Sequence, residues 1–122
     1  TIGQCELALQ LATERTLERQ TFGRYLSDYA NVQDWIAESR IEIDQARLLT
    51  LQAAWKIDTY GVMAALTDVS SIKVVAPTMA CEVIDMAIQA HGGAGVSDDF
   101  VLAFSYADQR TLRGNTFGVA RL

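Results

Sequence analysis

The stretch from about Asn31 to Tyr60 constrains this chain most, because one helical repeat carries two apolar stripes. Val32, Ile36, Ile43, Ala46, Ala53 and Ile57 fall on one stripe, and Ala37, Ile41, Leu48, Leu51 and Trp55 on another. A helix apolar on two faces needs two partners, since each stripe must leave water against a different surface. Its polar residues Glu38, Arg40, Glu42, Asp44 and Arg47 crowd the first half. Several lie three or four apart, where opposite charges pair for roughly 0.2 to 0.5 kcal/mol each. Gly61 then offers a C-cap.

Three further segments supply partners. From Ile2 to about Arg19, the apolar positions Ile2, Cys5, Leu9 and Ala12 recur at helical spacing. Gln20-Thr21-Phe22-Gly23-Arg24 breaks that pattern and reads as a loop, with Gly23 able to take positive φ. From about Val62 to Ala90 the only charges are Asp68, Lys73, Glu82 and Asp85, so this segment is expected to be largely buried. Pro77 falls inside it, where the missing N–H and the ring predict a kink near Lys73 to Pro77. His91-Gly92-Gly93-Ala94-Gly95 ends that helix, and Ser97 with Asp98 and Asp99 predicts the N-cap and acidic first turn of a fourth, reaching about Arg113.

Two long helices between two shorter ones, joined by short connections, predict an all-α, antiparallel up-down four-helix bundle spanning residues 1–122 as one domain. With 122 residues, half of them hydrophobic, one core is expected. The apolar excess on the long helices exceeds what that core can hide, so a homo-oligomeric interface is the natural sink. A net charge of −5 with scattered Lys and Arg argues against nucleic acid or an anionic membrane as partner. No apolar run is long enough to insert in a membrane. Cys5 and Cys81 lack metal-ligand spacing and read as packed, reduced thiols. No targeting segment is visible, so a cytoplasmic or mitochondrial-matrix location is expected, and the opening on Thr1 inside an apolar pattern reads as the start of a fragment.

Taken singly, the chemical candidates are ambiguous. The glycine run at 92 to 95 lets a ligand approach backbone closely but lacks the context of a phosphate loop. His91, the only histidine, has no second His or Cys pair and suits a helix-end carbonyl better than a base. Asp34, Glu38, Glu42 and Asp44 have no Glu-x-x-His partner, so a metal site is not expected and a solvated face is. Arg19, Thr21 and Phe22 set a guanidinium, a hydroxyl and an aromatic ring at a helix end, a combination able to grip a phosphate and shield a ring system.

The order of these pieces resembles the acyl-CoA dehydrogenase family. Glu18-Arg19-Gln20-Thr21-Phe22-Gly23 is similar to that family's R-x-x-F-G motif, and Gln89-Ala90-His91-Gly92-Gly93-Ala94-Gly95 to its Q-x-x-G-G-x-G motif. The spacing between them matches, as does Asp108 in the last-helix R-D-A region. Glu38 to Leu49 together with Lys73 to Pro77 resemble a subgroup whose eukaryotic members are fused to a kinase-like domain. The resemblance implies the C-terminal helical domain of a flavoprotein that dehydrogenates acyl-CoA thioesters and passes electrons to an acceptor, with an N-terminal helical and a middle β domain absent here. It further implies a shared FAD pocket to which Arg19, Thr21, Phe22, Gln89, Gly92 and Gly93 contribute, and a dimer or tetramer.

Two departures accompany it. Ala30 stands where many relatives carry a glutamine, and ungapped placement puts Thr116 at the position of the catalytic carboxylate. A hydroxyl cannot abstract an α-proton as a carboxylate does, so no catalytic residue is assigned and the isolated chain is expected to be inactive. A non-catalytic helical interaction module is the alternative these departures favour.

Overall fold

The computed structural model describes residues 1–114. Four α-helices dominate: α1 (Ile2–Glu18), α2 (Ala30–Tyr60), α3 (Leu66–His91) and α4 (Leu102–Gly114). They pack against one another as the expected all-α bundle. Thr116 lies outside the described residues.

Where the core sits follows from helix length. At about 1.5 Å per residue, α2 and α3 run roughly 46 and 39 Å, but α1 and α4 only about 26 and 20 Å. The short helices therefore cover one end of the long pair. One core cluster gathers Cys5 and Leu9 of α1, Ile43 and Ala46 of α2, and Met79, Ala80 and Val83 of α3. A second gathers Ala8 and Ala12 with Ile84, Ala87, Ala90 and Leu102. Burial in this core pushes the Cys5 thiol up to about 11, so Cys5 is a protonated thiol at neutral pH.

Beyond the reach of α1 and α4, the end of α2 and the start of α3 project as a two-helix arm that turns at Gly61, whose φ of 86° only glycine adopts freely. Of the two stripes on α2, the first faces inward. The second is uncovered, with Ile41, Leu48, Leu51 and Trp55 more than half exposed.

Three expectations need correction. The segment after Gly61 opens with a 3₁₀ turn, Val62–Ala65, before α3 begins. Apart from Asp68, the buried residues of α3 begin only at Ala76; Leu66, Val69, Val74 and Val75 are exposed because they lie on the arm. α3 continues through Pro77, whose ring is buried. Finally, α4 starts at Leu102 and not at Ser97. The Ser97 hydroxyl donates to the Ala94 carbonyl (2.8 Å) and accepts from the Asp99 amide (3.2 Å), so it closes a local turn.

Candidate functional site

Two connections bring the sequence motifs to one end of the bundle. The chain leaves α1 at Arg19 in extended conformation and forms a short hairpin, β1 (Gln20–Thr21) against β2 (Arg24–Tyr25), with Gln20 opposite Tyr25 and Thr21 opposite Arg24. Phe22 (φ 52°) and Gly23 (φ 77°) make its turn, both left-handed, as a two-residue hairpin requires. Glycine takes that conformation without strain. Phe22 does not, yet it holds its ring fully in solvent.

The hairpin is clamped to the start of α2. The Tyr29 hydroxyl donates to the Thr21 carbonyl (3.0 Å), the Arg24 guanidinium lies 4.7 Å from the centre of the Tyr29 ring, and Arg24 Nη2 donates to the Asp28 carbonyl (2.8 Å). Thr21 and Phe22 thereby line a cleft of about 300 Å³, whose far side is Gln89 and Ala90 of α3 and whose wall is Tyr29, Asn31 and Trp35.

Each glycine of the second motif has its own reason. Gly92 (φ 63°) caps α3, its N–H directed to the Ile88 and Gln89 carbonyls. A Cβ there would come within 3.9 Å of Arg19 Nη1, so Arg19 and Gly92 are neighbours although one lies 73 residues after the other. A Cβ on Gly95 would sit 2.6 Å from the Ile88 carbonyl oxygen, so that glycine is required by packing. Gly93 has open space where its Cβ would be.

Of the six residues the sequence singled out for a cofactor, Thr21, Phe22 and Gln89 line one cleft and Arg19 and Gly92 meet beside it. Gly93 stands next in sequence to Gly92, exposed, and does not line the cleft. Sequence reasoning passed over Tyr29, Asn31 and Trp35 as lining residues. The available signal was their clustering at the start of a long helix, with Asn31 and Trp35 four apart and off the buried stripe.

The other candidates have structural duties. His91 is buried, its Nδ1 donating to the Ala87 carbonyl (2.8 Å) while the ring packs 4.5 Å from Phe100. Asp108 accepts from Gln4 (3.2 Å) and Gln109 (3.3 Å), tying α4 to α1. Arg40 grips Glu6 through two bonds of 2.7 and 2.8 Å and reaches Asp44 at 2.8 Å, and Arg47 also pairs with Glu6. The bond from Arg40 holds the Glu6 carboxyl below its usual range. Glu42 is not on the solvated face the sequence suggested; burial, then Glu82 and Glu38, push its carboxyl up. Among the described residues no group of three His, Cys, Asp or Glu could hold a metal ion, and no helix is long and apolar enough to cross a membrane.

Residues 1–115 match the family described as Acyl-CoA dehydrogenase, C-terminal domain. The chain belongs to the acyl-CoA dehydrogenase family. It is 50% identical over 112 residues to rat acyl-CoA dehydrogenase family member 11, covering 92% of this chain and 14% of that protein. A solved structure from Mycobacterium abscessus superposes with a TM-score of 0.92 at 49% identity, over 98% of this chain and 31% of that one. Butyryl-CoA dehydrogenase from Megasphaera elsdenii superposes with a TM-score of 0.84 at 27% identity, over 97% and 32%. This acyl-CoA dehydrogenase domain thus spans a third or less of each of these relatives.

Proposed function

We propose that this domain supplies one wall of the FAD pocket of an acyl-CoA dehydrogenase and part of the contacts that assemble the enzyme. The observation that carries the reading is the meeting of Arg19 with Gly92 beside a cleft lined by Thr21, Phe22 and Gln89. Two motifs distant in sequence are brought to one place, and the residues that meet there, Arg19 and Gly92, are both exposed and lie outside the core clusters.

The residues fit a dinucleotide. The Arg19 guanidinium, exposed and in no ion pair within the described residues, offers fixed charge and a planar set of donors to a pyrophosphate. Thr21 adds a hydroxyl, Gln89 an amide, and the bare backbone at Gly92 and Gly93 leaves room for a ribose or phosphate. Phe22 holds its ring in solvent at the cost of left-handed backbone, which fits a ring presented to a group outside this chain. Bound FAD would supply the two-electron acceptor for α,β-dehydrogenation of an acyl-CoA thioester. The described residues offer no carboxylate in the cleft, so the α-proton must be taken by a residue elsewhere in the full polypeptide, which also meets the acyl-CoA and the electron acceptor. The uncovered apolar stripe of α2 supports a homo-oligomer, dimer or tetramer, as its natural cover.

The test is flavin retention by the full polypeptide that carries this sequence, read from its visible spectrum. Arg19→Ala is expected to weaken FAD binding about tenfold or more, the loss of one charge-assisted contact, without changing helicity. Equal retention by the variant and the parent would remove Arg19 from the pocket.

A further inference from the structure

Among the described residues, Phe22 is the only one other than glycine with positive φ, at 52°. A bulky residue takes that conformation only under constraint, because its Cβ crowds the following carbonyl oxygen. Packing at the turn does not supply the constraint. The Phe22 ring is fully exposed, and a Cβ built on Gly23 would meet nothing within 4 Å.

What holds the turn is one side chain at the head of α2. The Tyr29 hydroxyl donates to the Thr21 carbonyl (3.0 Å), and that carbonyl belongs to the peptide that leads into Phe22. The face of the same ring carries the Arg24 guanidinium, 4.7 Å from its centre, and the Asp28 carbonyl fixes that guanidinium at 2.8 Å. Tyr29 therefore grips both strands at once, through the residue before Phe22 and the residue after Gly23. Thr21 and Phe22 take part in no other side-chain hydrogen bond among the described residues. The grip has a rigid mount, because Tyr29 is the N-cap of a 31-residue helix and its carbonyl accepts from the Val32 (3.0 Å) and Gln33 (3.1 Å) amides.

We propose that Tyr29 is a positioning residue for the flavin: by holding Thr21 and Arg24 it keeps the hairpin in the conformation that presents Phe22 to the cofactor. The proposal rests on the flavin reading of the cleft. Without the clamp, the turn relaxes toward backbone that phenylalanine prefers, and only a fraction of the molecules keeps a hairpin ready to bind. Apparent affinity for FAD then falls by that fraction. Tyr29 also lines the cleft, so direct contact with the cofactor is the rival explanation. The two differ in how a change at Tyr29 combines with a change at Phe22.

The experiment is a double-variant cycle on the full polypeptide that carries this sequence, read as the FAD dissociation constant from flavin released on ultrafiltration, with helix content as the check on folding. Tyr29→Phe keeps the ring and its Arg24 contact and removes only the hydroxyl. It should weaken FAD binding about three- to tenfold, the range one hydrogen bond spans. Phe22→Gly removes the ring and lets the turn form without strain, and should weaken binding at least as much. Added to Phe22→Gly, Tyr29→Phe should change affinity by less than about twofold, since no ring is left to present and no strain to hold. Arg24→Gln loosens the other strand without touching α2 and should follow Tyr29→Phe in both backgrounds, which carries the test if Tyr29→Phe folds poorly. Parental affinity in Tyr29→Phe and Arg24→Gln, while Arg19→Ala loses flavin, would overturn the positioning role and leave the pocket standing. Losses that multiply with Phe22→Gly would also overturn it, making Tyr29 a direct contact. Parental affinity in Arg19→Ala and Phe22→Gly as well would remove the pocket and the proposal together.

Discussion

The two ends of this molecule are built from the same pair of helices and are held together differently. At the four-helix end, α2 and α3 are flanked by α1 and α4, and Ile43, Ile84 and Leu102 are almost fully buried. On the arm, the long helices have only each other. The buried apolar residues there are small, Ala53 and Ala65, and the main tie is polar: Lys56 Nζ meets both oxygens of Asp68 at 2.9 and 2.8 Å, and Gln52 donates to Asp68 at 3.3 Å. Asp68 is 9% exposed. Larger apolar side chains on the arm, Leu48, Leu51, Trp55, Met63 and Leu66, face outward. One end is stabilised by burial within the chain, while the other holds its shape by an ion pair and leaves its apolar surface for something else to cover.

The largest effect expected from this difference is at the core. Ile84→Ala should cost about 2 to 5 kcal/mol, lost transfer energy plus a cavity that α1 and α4 cannot close, read from the denaturant midpoint. Gly95→Ala, which pushes a methyl against the Ile88 carbonyl, should follow at about 1 to 3 kcal/mol by the same measurement. Asp68→Ala strands the Lys56 ammonium and should cost roughly 1 to 3 kcal/mol. Amide exchange should show that loss on the arm before the core; loss spread evenly would erase the distinction between the ends. Leu51→Ala in the monomeric chain should change stability by less than about 0.5 kcal/mol. A core-sized cost would mean the arm is already covered.

The smallest expected effect is pH dependence, and its two carboxylates act in opposite directions. Glu6, held low by Arg40, stabilises the fold above its unfolded pKa, and that contribution fades as pH falls through its folded value. The partners are substantially exposed, so the effect is small. Glu42, held high by burial, binds its proton more readily in the folded state and weakens the fold once pH rises above its unfolded range. Glu42→Gln should therefore raise the melting temperature at neutral pH, with the gain shrinking on acidification; a gain independent of pH would show that the carboxyl is not under strain.

Helix existence and the two-stripe character of α2 were legible because burial at 3.6-residue spacing writes itself into Val32, Ile43, Ala46 and Ala53. The arm was not. Its exposed valines on α3 look the same in sequence as buried ones, and only the shortness of α1 and α4 decides which half is covered. Ser97, Asp98 and Asp99 misled because the chemistry that caps a helix also closes a free-standing turn. The candidate site was legible as two motifs, but the approach of Arg19 to Gly92 depends on the hairpin turn and on the cap of α3. Tyr29 and Trp35 escaped notice because neither falls in a motif or on an apolar stripe, and only the fold of the hairpin against α2 makes them walls of a cleft.

Hydrogen exchange of the full polypeptide, with and without FAD, tests the central claim most directly. The claim predicts that FAD slows exchange in two segments together, residues 19–25 and residues 89–93, with no comparable direct protection at the tip of the arm around Gly61. Bound flavin that protects neither segment, or only one of them, would contradict a single pocket built from both motifs.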